Sequence, residues 1–100
     1  MVRIPAPKTI TVGGKTLEIR QIDNLYLNQG YQGACCLTTL IIEIERGLPP
    51  TTKSETFLHE SIEAINKVWL AASLPHDDID RLAEALLQLL QSLGVEIDWQ

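Results

Sequence analysis

Polar and apolar residues alternate through the first half of the chain and shift to a helical period in the second. Thr9-Ile10-Thr11-Val12 is a short β-prone run, and Lys15 to Ile22 alternates so that Leu17, Ile19 and Ile22 turn inward. Gly13-Gly14 between them supplies the permissive backbone of a tight hairpin. Asp23 to Gly33 is polar and turn-rich, with Asn24, Asn28, Gly30 and Gly33, and predicts a loop. Ala34 to Leu37 predicts a short strand. Leu40 to Glu45 predicts another, with Leu40, Ile42 and Ile44 on one face and Ile41, Glu43 and Glu45 on the other. Two carboxylates on one side suit an edge or a solvated face, where an extended peptide can add as a further strand.

Gly47-Leu48-Pro49-Pro50 breaks the alternation. Thr52-Lys53-Ser54-Glu55 has the form of a capping box and predicts a helix from there to about Ala72. Leu58, Ile62, Ile65, Trp69 and Ala72 recur at steps of four and three, one face of that helix, so Trp69 reads as packing. Ser73-Leu74-Pro75 interrupts. A second helix is predicted from His76 or Asp77 to Ser92, with Asp77, Asp78 and Asp80 complementing the positive end of its dipole. Ile79, Leu82, Ala83, Leu86, Leu90 and Leu93 form its apolar stripe, and Gly94 supplies a stop. Val95 to Trp99 alternates again, as a terminal strand or a docked tail. Strands followed by helices predict an α+β fold in one domain over residues 1–100. It divides into a strand-rich part (9–46), a helical part (51–93) and a short C-terminal tail (94–100). The expected architecture is a small, mostly antiparallel sheet of three to four strands with two antiparallel helices on one face.

Composition narrows the function classes. Eight Lys and Arg stand against thirteen Asp and Glu, a net charge of −5, with no basic stripe for nucleic acid or anionic lipid. No apolar run approaches the ~20 residues of a membrane span, and the start lacks the apolar core of a signal peptide. The adjacent Cys35 and Cys36 suit neither a mutual disulfide nor a zinc ribbon, and read as reduced thiols in a cytoplasmic protein.

The histidines carry the candidate chemistry. The chain has two, His59 and His76. His59 and Glu63 are four apart, one turn above each other on one helix face, where two donors can chelate one divalent ion. Glu60 points about 100° further round, where a carboxylate can reach a metal-bound water as general base. His76 opens the second helix just after a short reversal. With it the donor set becomes two histidines and one carboxylate, a catalytic zinc set, with Asp80 as the substitute if His76 points away. Asn66 and Tyr31 are candidate hydrogen-bond donors nearby.

At these residues the chain resembles the small phage-type and bacterial proteins with a zincin-like metallopeptidase fold. The resemblance is carried by Val12-Gly13-Gly14, Leu40 to Ile44, Thr56-Phe57-Leu58-His59-Glu60 and Leu82-Ala83-Glu84-Ala85-Leu86, and spans roughly Ile10 to Leu93. That family usually carries His-Glu-x-x-His on the first helix and an acidic residue at the start of the second. Here the two types look exchanged, with Glu63 on the first helix and His76 on the second.

The resemblance implies a zinc-dependent peptidase acting on a peptide or protein through His59, Glu63 and His76 as ligands and Glu60 as base. The alternative is a non-catalytic metal-binding or protein-interaction module on the same scaffold. An acidic nucleic-acid mimic is a third reading that the modest charge disfavours. His59 hydrogen-bonded to a neighbour, with solvated Glu60 and Glu63, would produce the same sequence without a metal. Leu87 and Leu89 widen the apolar arc of the second helix, as a homodimer face would.

Overall fold

In the computed structural model, which describes residues 1–100, the chain runs β1 (Val2–Pro5), β2 (Thr9–Val12), β3 (Lys15–Ile22), α1 (Leu25–Gln29), β4 (Gly33–Cys36), β5 (Ile41–Glu45), α2 (Pro50–Trp69), α3 (His76–Ser92) and β6 (Val95–Asp98). The fold is α+β. Four strands form a sheet in the order β2-β3-β5-β4, and β1 pairs with β6 in a separate parallel ribbon. Two of the three pairings in the larger sheet are antiparallel, and β3 with β5 is parallel. No helix is long and apolar enough to cross a membrane.

The hairpin forms as the glycines require. Gly13 and Gly14 have φ of 56° and 81°, and a side chain at Gly13 would collide with Val68 on α2. From β3, Leu17 and Ile19 reach the core, where Leu17 is fully buried beside Ile42 and Ile44 of β5. Each such side chain contributes about 1.5–3 kcal/mol through the water it sheds. Ile22, an odd number of positions from Leu17, lies on the other face near Glu43, not inward as the alternation predicts.

Several expectations are corrected. Asp23 to Gly33 holds the short helix α1 as well as a loop. The strand Ile41–Glu45 is internal, flanked by β3 and β4, so it has no free edge for a peptide. Its carboxylates instead occupy the face away from α2. The free edges of the sheet are β2 and β4.

The first long helix starts at Pro50, with Pro49 as its cap residue and no side-chain capping bond, so the Thr52–Glu55 box lies inside the helix. Proline has no N–H to lose at a first turn and its φ is already helical, which moves the start upstream. The buried stripe of α2 carries Lys53, Phe57, Glu60 and Ala64 toward the sheet, while Ile62 faces α3. Trp69, expected in the core, is 67% exposed. The buried indole is Trp99, just beyond β6. It meets Phe57 edge-on with ring centroids 5.7 Å apart and donates its Nε1–H to Ser54 Oγ at 2.9 Å. The C-terminal segment is therefore both a strand and a docked tail.

The α3 helix matches its predicted bounds but lies against α2 and β6, leaving the four-stranded sheet to α2. Ile79 and Ala83 pack on Ile62, with Leu58 and Leu74 at the margins. The reversal between the helices places Ala71 and Ala72 at φ of 51° and 58°, a strained left-handed pair. Asn66 holds it. Its backbone carbonyl accepts the N–H of Leu70 and of Ala72, and its buried amide exchanges two hydrogen bonds with the backbone of Leu74. That commitment makes Asn66 a structural residue, and it returns the chain so that His76 comes back beside α2.

Candidate metal centre

A cleft of ≈ 600 Å³ opens between α2, α3 and the segment from α1 to β4. His59 and Glu63 face it from successive turns of α2, and His76 and Asp80 from successive turns of α3. Tyr26 and Tyr31 stand on the far wall, both exposed. That wall is tied down by Glu45. Its carboxylate accepts the backbone N–H of Tyr26 at 3.0 Å and of Gly47 at 2.9 Å. These two N–H donors hold the Glu45 carboxyl below the usual carboxylate range.

His59, His76 and Asp80 come together. Each offers one donor atom, and the three atoms lie within 4.8 Å of one another. Asp80 Oδ1 is 2.8 Å from His59 Nε2 and 3.6 Å from His76 Nε2. The two imidazoles meet edge-to-face with ring centroids 5.0 Å apart. Donors held at about 2.0–2.1 Å by a tetrahedral zinc stand about 3.3 Å from one another, so this set needs only small side-chain shifts to share an ion.

Glu63 stands outside that triad. Its Oε1 is 3.9 Å from His76 Nδ1, and it makes no hydrogen bond. It faces the cleft within one turn of His59. Glu60 also borders the cleft but is tied to the ring of His59. It is only 8% exposed, and its Oε2 is hydrogen-bonded to His59 Nδ1 at 2.9 Å. Burial pushes the Glu60 carboxyl up, and the hydrogen bond and charge of His59 pull against that rise. Tyr31 lines the wall without contact to the triad, and Asp77 and Asp78 lie outside the cleft.

Asp80 was legible only as a dipole-complementing residue or a substitute ligand. The signal that brings it in is its spacing from His76, four residues on, which puts both on one face of α3. Comparisons with family models, with curated proteins and with solved structures return no match. The zincin-like resemblance therefore has no relative behind it, and the functional reading rests on the geometry of the cleft.

Proposed function

We propose that this chain binds one zinc ion through His59, His76 and Asp80 and hydrolyses peptide bonds in the cleft above it. The observation that carries the reading is the convergence of the only two histidines on one carboxylate, across two helices, at the floor of an open cleft. A bound zinc supplies Lewis acidity, lowering the pKa of water and polarising a carbonyl. The chain's own part is to hold three donors and leave the cleft side open, to offer Glu60 and Glu63 as nearby carboxylates, and to receive substrate. The cleft reaches Gly33 at the start of β4, whose outer edge is unpaired, so an extended peptide has backbone N–H and C=O groups to pair with. Two free thiols suit a reducing, cytoplasmic setting.

A second reading, a non-catalytic metal-binding or interaction module, is favoured by one observation. Leu82, Leu86 and Leu89 of α3, with Leu93 at its C-terminal cap, form an exposed apolar stripe away from the cleft, of the kind a partner or second copy covers.

The test begins with metal analysis of protein purified without added zinc. The wild type is expected to carry about one equivalent, and His59→Ala and Asp80→Ala to lose it. A quenched-fluorescence peptide library should then be cut by the wild type, with turnover removed by a chelator and restored by zinc. A wild type without metal overturns the centre. A metal-loaded wild type that cuts no peptide leaves the module reading.

A further inference from the structure

Two carboxylates follow His59 on α2, and the structure gives them different surroundings. We infer that Glu60 is the positioning residue of the centre, fixing the ring of His59, and that Glu63 is the carboxylate left to accept the substrate-side proton. This inference rests on the metal-centre reading above and reverses the role that the His59-Glu60 motif assigns to its glutamate.

The case for Glu60 is geometric. Its Oε2 lies 2.9 Å from His59 Nδ1, on the opposite side of the ring from Asp80. With the Nδ1 proton donated there, the Nε2 lone pair is directed at the triad. Metal-binding histidines are commonly oriented in this way by a carboxylate on their second nitrogen. The side chain is also boxed in. A Cβ at Gly33 on β4 would lie 3.3 Å from Glu60 Cγ and 2.5 Å from Thr56 Cγ2. Glycine at 33 lets β4 approach α2 closely enough to wall Glu60 against His59. A carboxylate enclosed by β4 and bonded to a ligand ring is badly placed to meet substrate.

Both carboxylates line the cleft, but Glu63 is the freer: its side chain is 22% exposed against 10% for Glu60, it makes no hydrogen bond, and its Oε1 lies 3.9 Å from His76 Nδ1. One turn along α2 from His59, it stands beside the triad rather than beneath it. A general base must lie within reach of the proton it takes, directly or through one water, and Glu63, with no hydrogen bond to break, is free to turn to it while Glu60 is held by His59.

The test uses Glu60→Gln, Glu60→Ala and Glu63→Gln in the full chain, each checked by circular dichroism. Nitrogen NMR of the His59 imidazole reports which ring nitrogen holds a proton, with or without metal. The wild type is expected to be protonated at Nδ1, and Glu60→Ala to lose that preference. Zinc affinity should fall about tenfold or more in Glu60→Gln. It should be unchanged in Glu63→Gln, which instead loses kcat. The inference is overturned if Nδ1 carries no proton in the wild type. It is equally overturned if Glu60→Gln binds zinc like the wild type yet loses turnover while Glu63→Gln does not. A wild type that binds no zinc removes the metal-centre reading alone, because the NMR result still decides the pairing of His59 with Glu60. Glu60→Gln is nearly isosteric, so a folding failure of Glu60→Ala leaves the affinity arm intact.

Discussion

Helices α2 and α3 touch along two seams that differ in kind. One is dry: Ile62 against Ile79 and Ala83, with Leu58 and Leu74 beside them. The other is half-wet: His59 against Asp80, and His76 against Glu63. The dry seam removes apolar surface from water and sets the distance between the helices. The polar seam inherits that distance. Its side chains are 19% to 68% exposed, so solvent screens their attraction and they contribute little to stability. The difference teaches that the candidate centre does not hold the helices together; the leucine and isoleucine packing beside it does. A site of this kind can lose its donors without losing its scaffold, but it cannot lose the scaffold and keep its donors.

The largest test of that contrast is Ile79→Ala against Asp80→Asn, neighbours on the two seams. Ile79 is 1% exposed, and its truncation should lower unfolding free energy by about 2–5 kcal/mol in urea melts. Asp80→Asn should change it by about 1 kcal/mol or less while abolishing zinc binding. Equal losses of stability from the two substitutions would collapse the distinction.

A smaller effect concerns the turn that joins the seams. Ala71 and Ala72 sit in the left-handed region, where an alanine is disfavoured by roughly 1–2 kcal/mol and a glycine is not. Packing on either side and the amide of Asn66 hold them there. After allowing for the greater freedom of unfolded glycine, Ala72→Gly should raise stability by about 0.5–1 kcal/mol, read as an upward shift in Tm. A lower Tm would mean that the turn is not strained in the way its φ values indicate.

The smallest expected effect repeats the dry-against-wet contrast in two adjacent thiols. Cys35 shares a face of the sheet with Ile42 and faces α2, and burial pushes its thiol up. Cys36 faces outward, and the hydroxyl of Thr39, with the backbone N–H of Thr39 and Thr38, pulls its thiol down. Iodoacetamide at neutral pH should therefore label Cys36 faster than Cys35, measured by mass spectrometry in the Cys35→Ser and Cys36→Ser variants. Raising pH should bring Cys35 up later. Thr39→Val should slow Cys36. Equal rates at both thiols would remove the distinction.

Much of the fold was legible because local chemistry decided it. The Gly13-Gly14 hairpin needs only two residues at positive φ. The bounds of α3 follow from Pro75 before it and Gly94 after it. Failures occurred where a distant partner overrides a local signal. The helical period on α2 favoured Trp69, but that indole stands on the last residue of the helix and is left exposed, and Trp99 fills the core from the other end of the chain. Nothing near Val2–Pro5 could announce a strand whose only partner lies more than ninety residues away at Val95–Asp98. Leu40–Glu45 looked like an edge because Glu43 and Glu45 are polar, yet polarity marks an uncovered face as well as an uncovered edge.

By itself the sequence determined an α+β fold, its helical hairpin, and the two histidines as the residues to follow. It did so because periodicity and turn chemistry act over a few residues, within the reach of one chain segment. The tertiary structure alone decided which carboxylate meets them. Asp80, Glu60 and Glu63 carry the same chemical group, and helical spacing puts each of them within a turn of a histidine without saying which one shares its donor set. Their roles separate only when Ile79 and Ala83 seat α3 on α2, and when Gly33 lets β4 close over Glu60. Those contacts turn one carboxylate to the donor set, one to the back of His59, and one to the open cleft.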